Sequence, residues 1–255
     1  SKADEGELSI NGKDSWKSAA NIKQDVGYLP GELAFPKGMT GDQFIEFMAN
    51  ERQITDMTRT EQLKELFKVE TSKEIKEMSL GTKRKLAVVT AFMHNPKILI
   101  LDEPTSGLDP VMQERFIQFI LKEKSEGKTI LLSSHIFTEV DATCDRIAII
   151  KNGVVVSTVE SNELKQSTNK SFKIEFASFE DYQKFIENTE FTIPTKRPEQ
   201  NQVKLSLTDQ KMQEFFTELS KVKVNFISEI KFTLEDYFMD FYDRKKTVAA
   251  GEENL

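Results

Sequence analysis

The stretch Ile98-Leu99-Ile100-Leu101-Asp102-Glu103-Pro104-Thr105-Ser106-Gly107-Leu108-Asp109-Pro110 decides how the rest of the chain is read. Four consecutive apolar residues mark a strand buried on both faces, as strands of parallel sheets are. Two carboxylates follow at once, which places them at the carboxyl edge of such a sheet, where α/β proteins bind ligands. Asp102 continues the strand and is suited to hold Mg²⁺, usually through water. Glu103, one residue on, points elsewhere and can accept a proton from an attacking water. Taken alone, the two acids could equally be a solvated strand end. Asp109-Pro110 then reads as a helix start, with Asp as the cap and Pro in the first turn.

Working outward, that helix carries Met112, Phe116, Phe119 and Ile120 on its apolar side and stops at Gly127. Thr129 to Leu132 reads as another buried strand, Ile136, Phe137 and Val140 as a short helix, and Arg146 to Ile150 as a third strand. Alternating strands and helices are the rhythm of a parallel sheet. Asn152-Gly153 then turns into an edge hairpin over Val154 to Val159. Upstream, residues 42–94 have helical periodicity: Phe44, Ile45, Phe47 and Met48 share one stripe, Leu63, Leu66 and Phe67 a second, and Leu86, Val89 and Met93 a third. The third helix must stop near Asn95, because Pro96 follows. Pro30, Gly31, Pro36, Gly38 and Gly41 mark a loop, and Glu7 to Ile10, the turn Asn11-Gly12 and Val26 to Leu29 read as two strands around a turn.

After Asn162 the pattern changes. Phe172, Ile174 and Phe176 alternate with charged residues, as do Val203, Leu205 and Leu207, so these strands have one wet face. Helical segments hold Phe185-Ile186 and Met212, Phe215, Phe216, Leu219; Val222, Val224 and Phe226 suggest a third alternating strand, and Thr233 to Asp236 a helix cap. The expected organisation is an α/β domain over 1–165, with a helical subdomain at about 38–95, and a small α+β domain over 168–245, in a split βαβ arrangement. Residues 246–255 read as a tail, and Glu253-Asn254-Leu255 resembles the start of a protease-cleavage tag.

Composition narrows the classes. The 255 residues are 38% hydrophobic and 30% charged, ordinary for a globular protein that buries a core. A formal charge of -7 does not suit general nucleic-acid binding. The one cysteine, Cys144, excludes an internal disulfide and a zinc cluster of cysteines, and fits a reducing compartment. No apolar run is long enough to span a membrane, and no stretch reads as a signal peptide.

Two further segments complete a pattern: Met78-Ser79-Leu80-Gly81-Thr82 at a helix start, and Ser133-Ser134-His135 at a strand end. With Leu-Asp-Glu-Pro-Thr-Ser-Gly-Leu-Asp-Pro, they make residues 7–153 resemble the ATP-binding subunit of an ABC transporter, of an exporter-like subgroup. The resemblance implies a P-loop NTPase-like core, a parallel sheet plus a helical subdomain, and ATP and Mg²⁺ as cofactors. Asp102 resembles the Walker B Mg²⁺ ligand, Glu103 the general base and His135 the switch histidine at the γ-phosphate. Asp109 resembles the aspartate that crosses the dimer interface. Ser79 and Gly81 resemble the signature motif, which meets the ATP of a second subunit in a head-to-tail dimer; free N–H groups and the positive end of the helix dipole suit a phosphate. His94, before Asn-Pro, reads as structural.

The chain departs from the family in three places. Leu80 and Thr82 replace a Gly and a Gln of the signature, and Leu80 adds bulk where a phosphate approaches. Gly31 stands where the family has a Gln, so Glu32 is the candidate to take over its role toward Mg²⁺. No Gly-x-x-x-x-Gly-Lys-Ser/Thr is present: Gly127-Lys128-Thr129 comes nearest, but Lys122 replaces the first Gly and a strand follows instead of a helix. In the family that loop precedes the segment beginning at Glu7, so the sequence is expected to lack the loop and its strand, and to be inactive alone. That strand would sit between those at Thr129 to Leu132 and Arg146 to Ile150, and direct pairing of those two would contradict the expectation. The resemblance further implies a membrane permease docked on residues 42–78, no nucleic-acid partner, and a peripheral, cytoplasmic place at the inner face of the cell membrane. The small C-terminal domain is expected to contribute to homodimer contact. A chromosome or DNA-repair ATPase is the alternative, yet only a short helical segment without sustained heptads separates Gly31 from Ser79. A regulator or translation factor of the family would carry two such domains.

Overall fold

The computed structural model describes residues 3–162 and 169–230, together with Leu234, Glu235, Tyr237 and Phe238. By internal contacts the chain divides into two units, Ser1–Cys144 and Asp145–Leu255.

The first unit begins with a hairpin of β1 (Ser9–Ile10) and β2 (Lys13–Asp14). Asn11 and Gly12 close it at φ 51° and 73°, the left-handed pair that a tight two-residue hairpin needs. The partner of the first strand is therefore Lys13–Asp14, and not Val26–Leu29 as the sequence suggests. Helix α1 (Ala19–Asp25) leads instead into β3 (Val26–Leu29). Next come α2 (Gly41–Glu51), α3 (Thr58–Phe67) and α4 (Leu80–Phe92), then β4 (Ile98–Asp102), α5 (Pro110–Ser125), β5 (Thr129–Ser133) and α6 (Phe137–Thr143). Local chemistry sets the boundaries. Thr40 and Gln43 form a reciprocal capping box at α2, Lys68 ends α3 in the left-handed region, and Asn95 turns at φ 51° ahead of Pro96.

Strands β3, β4 and β5 form one parallel sheet, with Leu29, Leu101 and Leu132 in one row and Asp102 beside Ser133 at its carboxyl edge. Leu29, Leu99 and Leu101 are buried in one core with Leu63 and Phe67 of α3, Leu86 to Val89 and Phe92 of α4, and Phe116, Phe119 and Ile120 of α5. Helix α4 lies directly on β3 at Gly27, where a Cβ would stand 2.4 Å from the Ala91 carbonyl oxygen. Phe119 meets Phe67 and Phe92 edge-on, with centroids 5.4 and 4.9 Å apart, and such pairs add about 0.5–1.5 kcal/mol beyond area burial. β5 is not buried on both faces as expected: Leu131 is 66% exposed. It is the edge strand of the sheet, and its one strand partner among the described residues is β4. Lys128 of the Gly127-Lys128-Thr129 segment is ion-paired with the buried Glu123, so the segment is a turn with a structural cation.

His94 caps the same core. Its Nε2 donates to the Val26 carbonyl at 3.3 Å while Nδ1 is buried without a partner. Burial, aided by the Arg52 charge, pushes its pKa down to about 4. The unfolded chain titrates this group near 6.5. Between those values the unfolded state binds more protons, so stability falls as pH drops below about 6.5 and the loss levels off below about 4. His94→Gln is expected to flatten that fall. Urea midpoints for both proteins at pH 7 and pH 5 check it, and an equal loss in both would remove His94 as the cause.

In the second unit, β6 (Arg146–Lys151) pairs antiparallel with β7 (Val154–Glu160) across Asn152-Gly153. It does not continue the parallel rhythm, and it is grouped with the later strands rather than with residues 1–144; the boundary expected near residue 165 thus differs from the division by contacts. β8 (Asn169–Phe176), α7 (Phe179–Asn188), β9 (Thr195–Arg197), β10 (Gln202–Thr208), α8 (Met212–Leu219) and β11 (Val224–Ile230) complete the unit. The strands are antiparallel in the order β11-β8-β10-β9, the split βαβ arrangement. Phe172, Ile174, Phe176, Leu205 and Phe215 form its core. The cap residues Thr233 and Asp236 and the tail over 246–255 lie outside the described residues.

Candidate functional site

Asp102 and Ser133 end neighbouring strands, and the Ser133 hydroxyl donates to Asp102 Oδ1. Beyond β4 the chain turns sharply. Glu103 sits at φ 47°, unusual for a non-glycine residue, with its N–H donating to the Ser133 carbonyl at 3.0 Å. Strained backbone of this kind persists where surrounding contacts hold it. The turn brings Glu103 Oε2 to 2.7 Å from His135 Nδ1. The hydrogen bond to Glu103, and then its charge, raise the His135 pKa, although the imidazole is 75% exposed. The sheet edge therefore gathers three of the expected residues, Asp102, Glu103 and His135, from two strand ends.

Gly31 joins them. Its backbone packs so close to Asp102 that a Cβ would lie 2.7 Å from Oδ2. A side chain there would require this carboxylate to move aside. Glu32 is exposed and has no hydrogen-bond or ion-pair partner among the described residues.

Ser79, Gly81 and Asp109 lie at two helix starts. Ser79 caps α4, accepting from the Thr82 N–H at 3.2 Å, and Asp109 caps α5, accepting from the Met112 N–H at 3.0 Å. The two starts touch: a Cβ on Gly81 would be 3.0 Å from the Gly107 carbonyl, and Leu80 packs over Gly107, which needs its φ of 79°. Leu80 stays exposed at the tip of α4.

One residue that the sequence does not single out ties these groups together. Arg84, 2% exposed, donates to the carbonyls of Pro30 at 2.8 Å, Gly31 at 2.7 Å and Ser106 at 3.2 Å. Burial lowers its pKa, and the charges of Asp102 and Glu103 oppose that. It sits in Thr82-Lys83-Arg84-Lys85, a run that reads as a solvated face; no pattern in the sequence separates Arg84 from its neighbours.

The geometry can be set beside known proteins. A family model described as "AAA domain, putative AbiEii toxin, Type IV TA system" matches residues 63–141, from α3 to α6. The uncharacterized ABC transporter ATP-binding protein all4389 of Nostoc sp. is 35% identical over 156 residues, 58% of this chain and 47% of that protein. The ABC transporter ATP-binding protein YtrB of Bacillus subtilis is 26% identical over 245 residues, 96% of this chain and 82% of that protein. The chain spans 39–64% of the length of its 33–35% identical relatives. Among solved structures, an ATP-binding subunit of an ABC transporter matches with TM-score 0.58 at 25% identity, covering 64% of this chain and 70% of that one. MJ0796, a bacterial ABC transporter cassette solved as a dimer, matches with TM-score 0.57 at 20% identity, covering 63% and 75%. By sequence the chain is a homologue of ABC transporter ATP-binding proteins, and its α/β fold is that of ABC ATPase cassettes.

Proposed function

We propose that the chain forms the carboxylate edge of an ATP-hydrolysing subunit that powers a membrane exporter. The observation that carries this is the Glu103–His135 contact beside Asp102 at the end of a parallel sheet. Glu103 takes the proton of the attacking water, and His135 holds the Glu103 carboxylate in place. The donor set fits Mg²⁺. Asp102 offers a hard oxygen next to the Ser133 hydroxyl, and among the described residues no group of three His, Cys, Asp or Glu forms a closed metal cage. Mg²⁺ is commonly held by one or two carboxylates while keeping waters and phosphate oxygens. When bound, it neutralises phosphate charge; Asp102 would hold it, and Glu32 is the exposed carboxylate available where Gly31 has no side chain.

The N-terminus of α4, with Ser79 and Gly81, suits the phosphates of a second subunit, and Asp109 would reach across the same dimer. The dimeric state of MJ0796 supports that assembly. The permease would dock on residues 42–78 of the helical subdomain, at the cytoplasmic face of the membrane; no helix among the described residues is long and apolar enough to cross it. The second unit would add to homodimer contact.

No Gly-x-x-x-x-Gly-Lys-Ser/Thr loop lies within these residues, so the residues that would cradle phosphates within one subunit are not among them. The chain by itself is therefore expected to turn over Mg²⁺-ATP no faster than buffer. The chain joined to a strand, loop and helix that carry such a motif is expected to hydrolyse it. Turnover by the chain alone that disappears in Glu103→Gln overturns the need for the loop, and no turnover by the joined polypeptide overturns the ATPase reading.

A further inference from the structure

Behind the Glu103–His135 pair lies a second carboxyl group that the proposed chemistry does not use. Glu139, in α6 and one turn beyond His135, is 1% exposed. Its Oε2 accepts from the Ser134 hydroxyl at 2.6 Å and from the Thr105 hydroxyl at 3.3 Å. Thr105, itself buried, lies two residues after Glu103, and Ser134 is the neighbour of His135. One buried oxygen thus joins the two segments that carry the pair. The Ser134 hydroxyl also accepts from the Ile136 N–H at 3.0 Å, so it fixes the backbone on the far side of His135 as well.

This arrangement is costly. Glu139 Oε1 is buried with no hydrogen-bond partner, and no cation pairs with the carboxyl at salt-bridge distance among the described residues. A buried acceptor left without a donor loses the hydrogen bonds it made to water and destabilises the fold. Burial raises the Glu139 pKa, and the hydrogen bonds from Ser134 and Thr105 oppose the rise. The charged groups acting on it are Glu103 and His135. Helix α6 has seven residues, too few to hold its own shape in water. His135 in turn is mostly exposed, and its one hydrogen-bond partner among the described residues is Glu103. Its place depends on what holds the backbone around it.

We propose that Glu139 is a positioning residue: by gripping Ser134 and Thr105 together, it keeps His135 within hydrogen-bonding reach of Glu103. The proposal takes that pair from the function above, but its test uses no nucleotide, so failure of one does not entail failure of the other. The chain has two histidines, so its imidazole signals can be followed by NMR across pH. His135 is expected to titrate above the ordinary value of about 6.5. His94, at about 4 in the fold, reports that the chain remains folded.

Glu139→Ala and Ser134→Ala are each expected to return the His135 pKa to about 6.5, because the contact with Glu103 is lost. Glu139→Gln is expected to keep it raised, since the amide oxygen still accepts from both hydroxyls. Unchanged His135 titration in both alanine variants overturns the proposal. So does a fall in Glu139→Gln as large as in Glu139→Ala, which would assign the effect to charge and not to position. Should Glu139→Ala unfold, seen as His94 moving to about 6.5, Ser134→Ala decides alone.

Discussion

Glu103→Gln is expected to lower Mg²⁺-ATP turnover about 10²–10⁴-fold in a polypeptide that joins these residues to a phosphate-binding loop. The substitution is close to isosteric, and the amide oxygen can still accept a hydrogen bond from His135, 2.7 Å away in the wild type. The turn at φ 47° suits a glutamine no worse than a glutamate. Geometry is therefore kept, and what goes is the site that receives the proton. Loss of a group that acts only in the transition state lowers kcat and kcat/KM together and leaves KM near its original value. Steady-state kinetics of the two proteins check this. A loss carried mainly by KM would make Glu103 a binding group instead of a base. His135 supplies a second readout: the largest causes of its raised pKa are the Glu103 hydrogen bond and charge, so it should titrate lower in the variant.

The parts of this site that a sequence can disclose are those where chemistry follows chain order. Asp102-Glu103 comes directly after an apolar tetrad, so its place at a sheet edge follows from strand alternation and length. Asp109-Pro110 and Ser79 are helix starts whose side chains bond N–H groups three residues on, a local interaction. The Asn11-Gly12 and Asn152-Gly153 turns are equally local. The fold of the second unit was legible in the same way: Phe172-Ile174-Phe176 and Val203-Leu205-Leu207 alternate, and they pair in register as β8 and β10.

What stayed hidden is long-range. The pairing of β1 with Lys13–Asp14 is an exception: it is local, and two polar residues directly after the Asn-Gly turn carry no apolar strand pattern to mark it. The exposure of Leu131 depends on what covers that face of the sheet, which the strand's own residues do not state. Arg84 and Glu139 are charged residues in helices, where the prior is solvent. Arg84 reaches carbonyls 22, 53 and 54 residues away in the chain, and Glu139 reaches Thr105 across 34. Helical periodicity carries no information about such partners.

Arg84→Ala is expected to destabilise the first unit by about 3–5 kcal/mol, a large part of the 5–15 kcal/mol typical of a folded domain. Three carbonyls lose a charged donor at once, and each buried acceptor left unpaired costs about 1–3 kcal/mol; water entering from the loops recovers some of that. Arg84→Lys restores a charge but not the planar fork, so one ammonium cannot reach Pro30, Gly31 and Ser106 together. It is expected to recover less than half of the loss. Urea unfolding of the three proteins measures both effects. Stability is only one consequence, because the carbonyl of Gly31 belongs to the residue that packs against Asp102, and Ser106 follows the turn that carries Glu103. Under conditions where the lysine variant is still folded, the loop after β3 loses its fixed distance from the loop after β4. Asp102 then gains freedom to move toward the space beside Gly31. Amide hydrogen exchange should therefore rise at residues 30–32 and 103–107 in Arg84→Lys, ahead of any change in β4 itself. Uniform exchange along the unit would mean that Arg84 stabilises the fold without fixing the site.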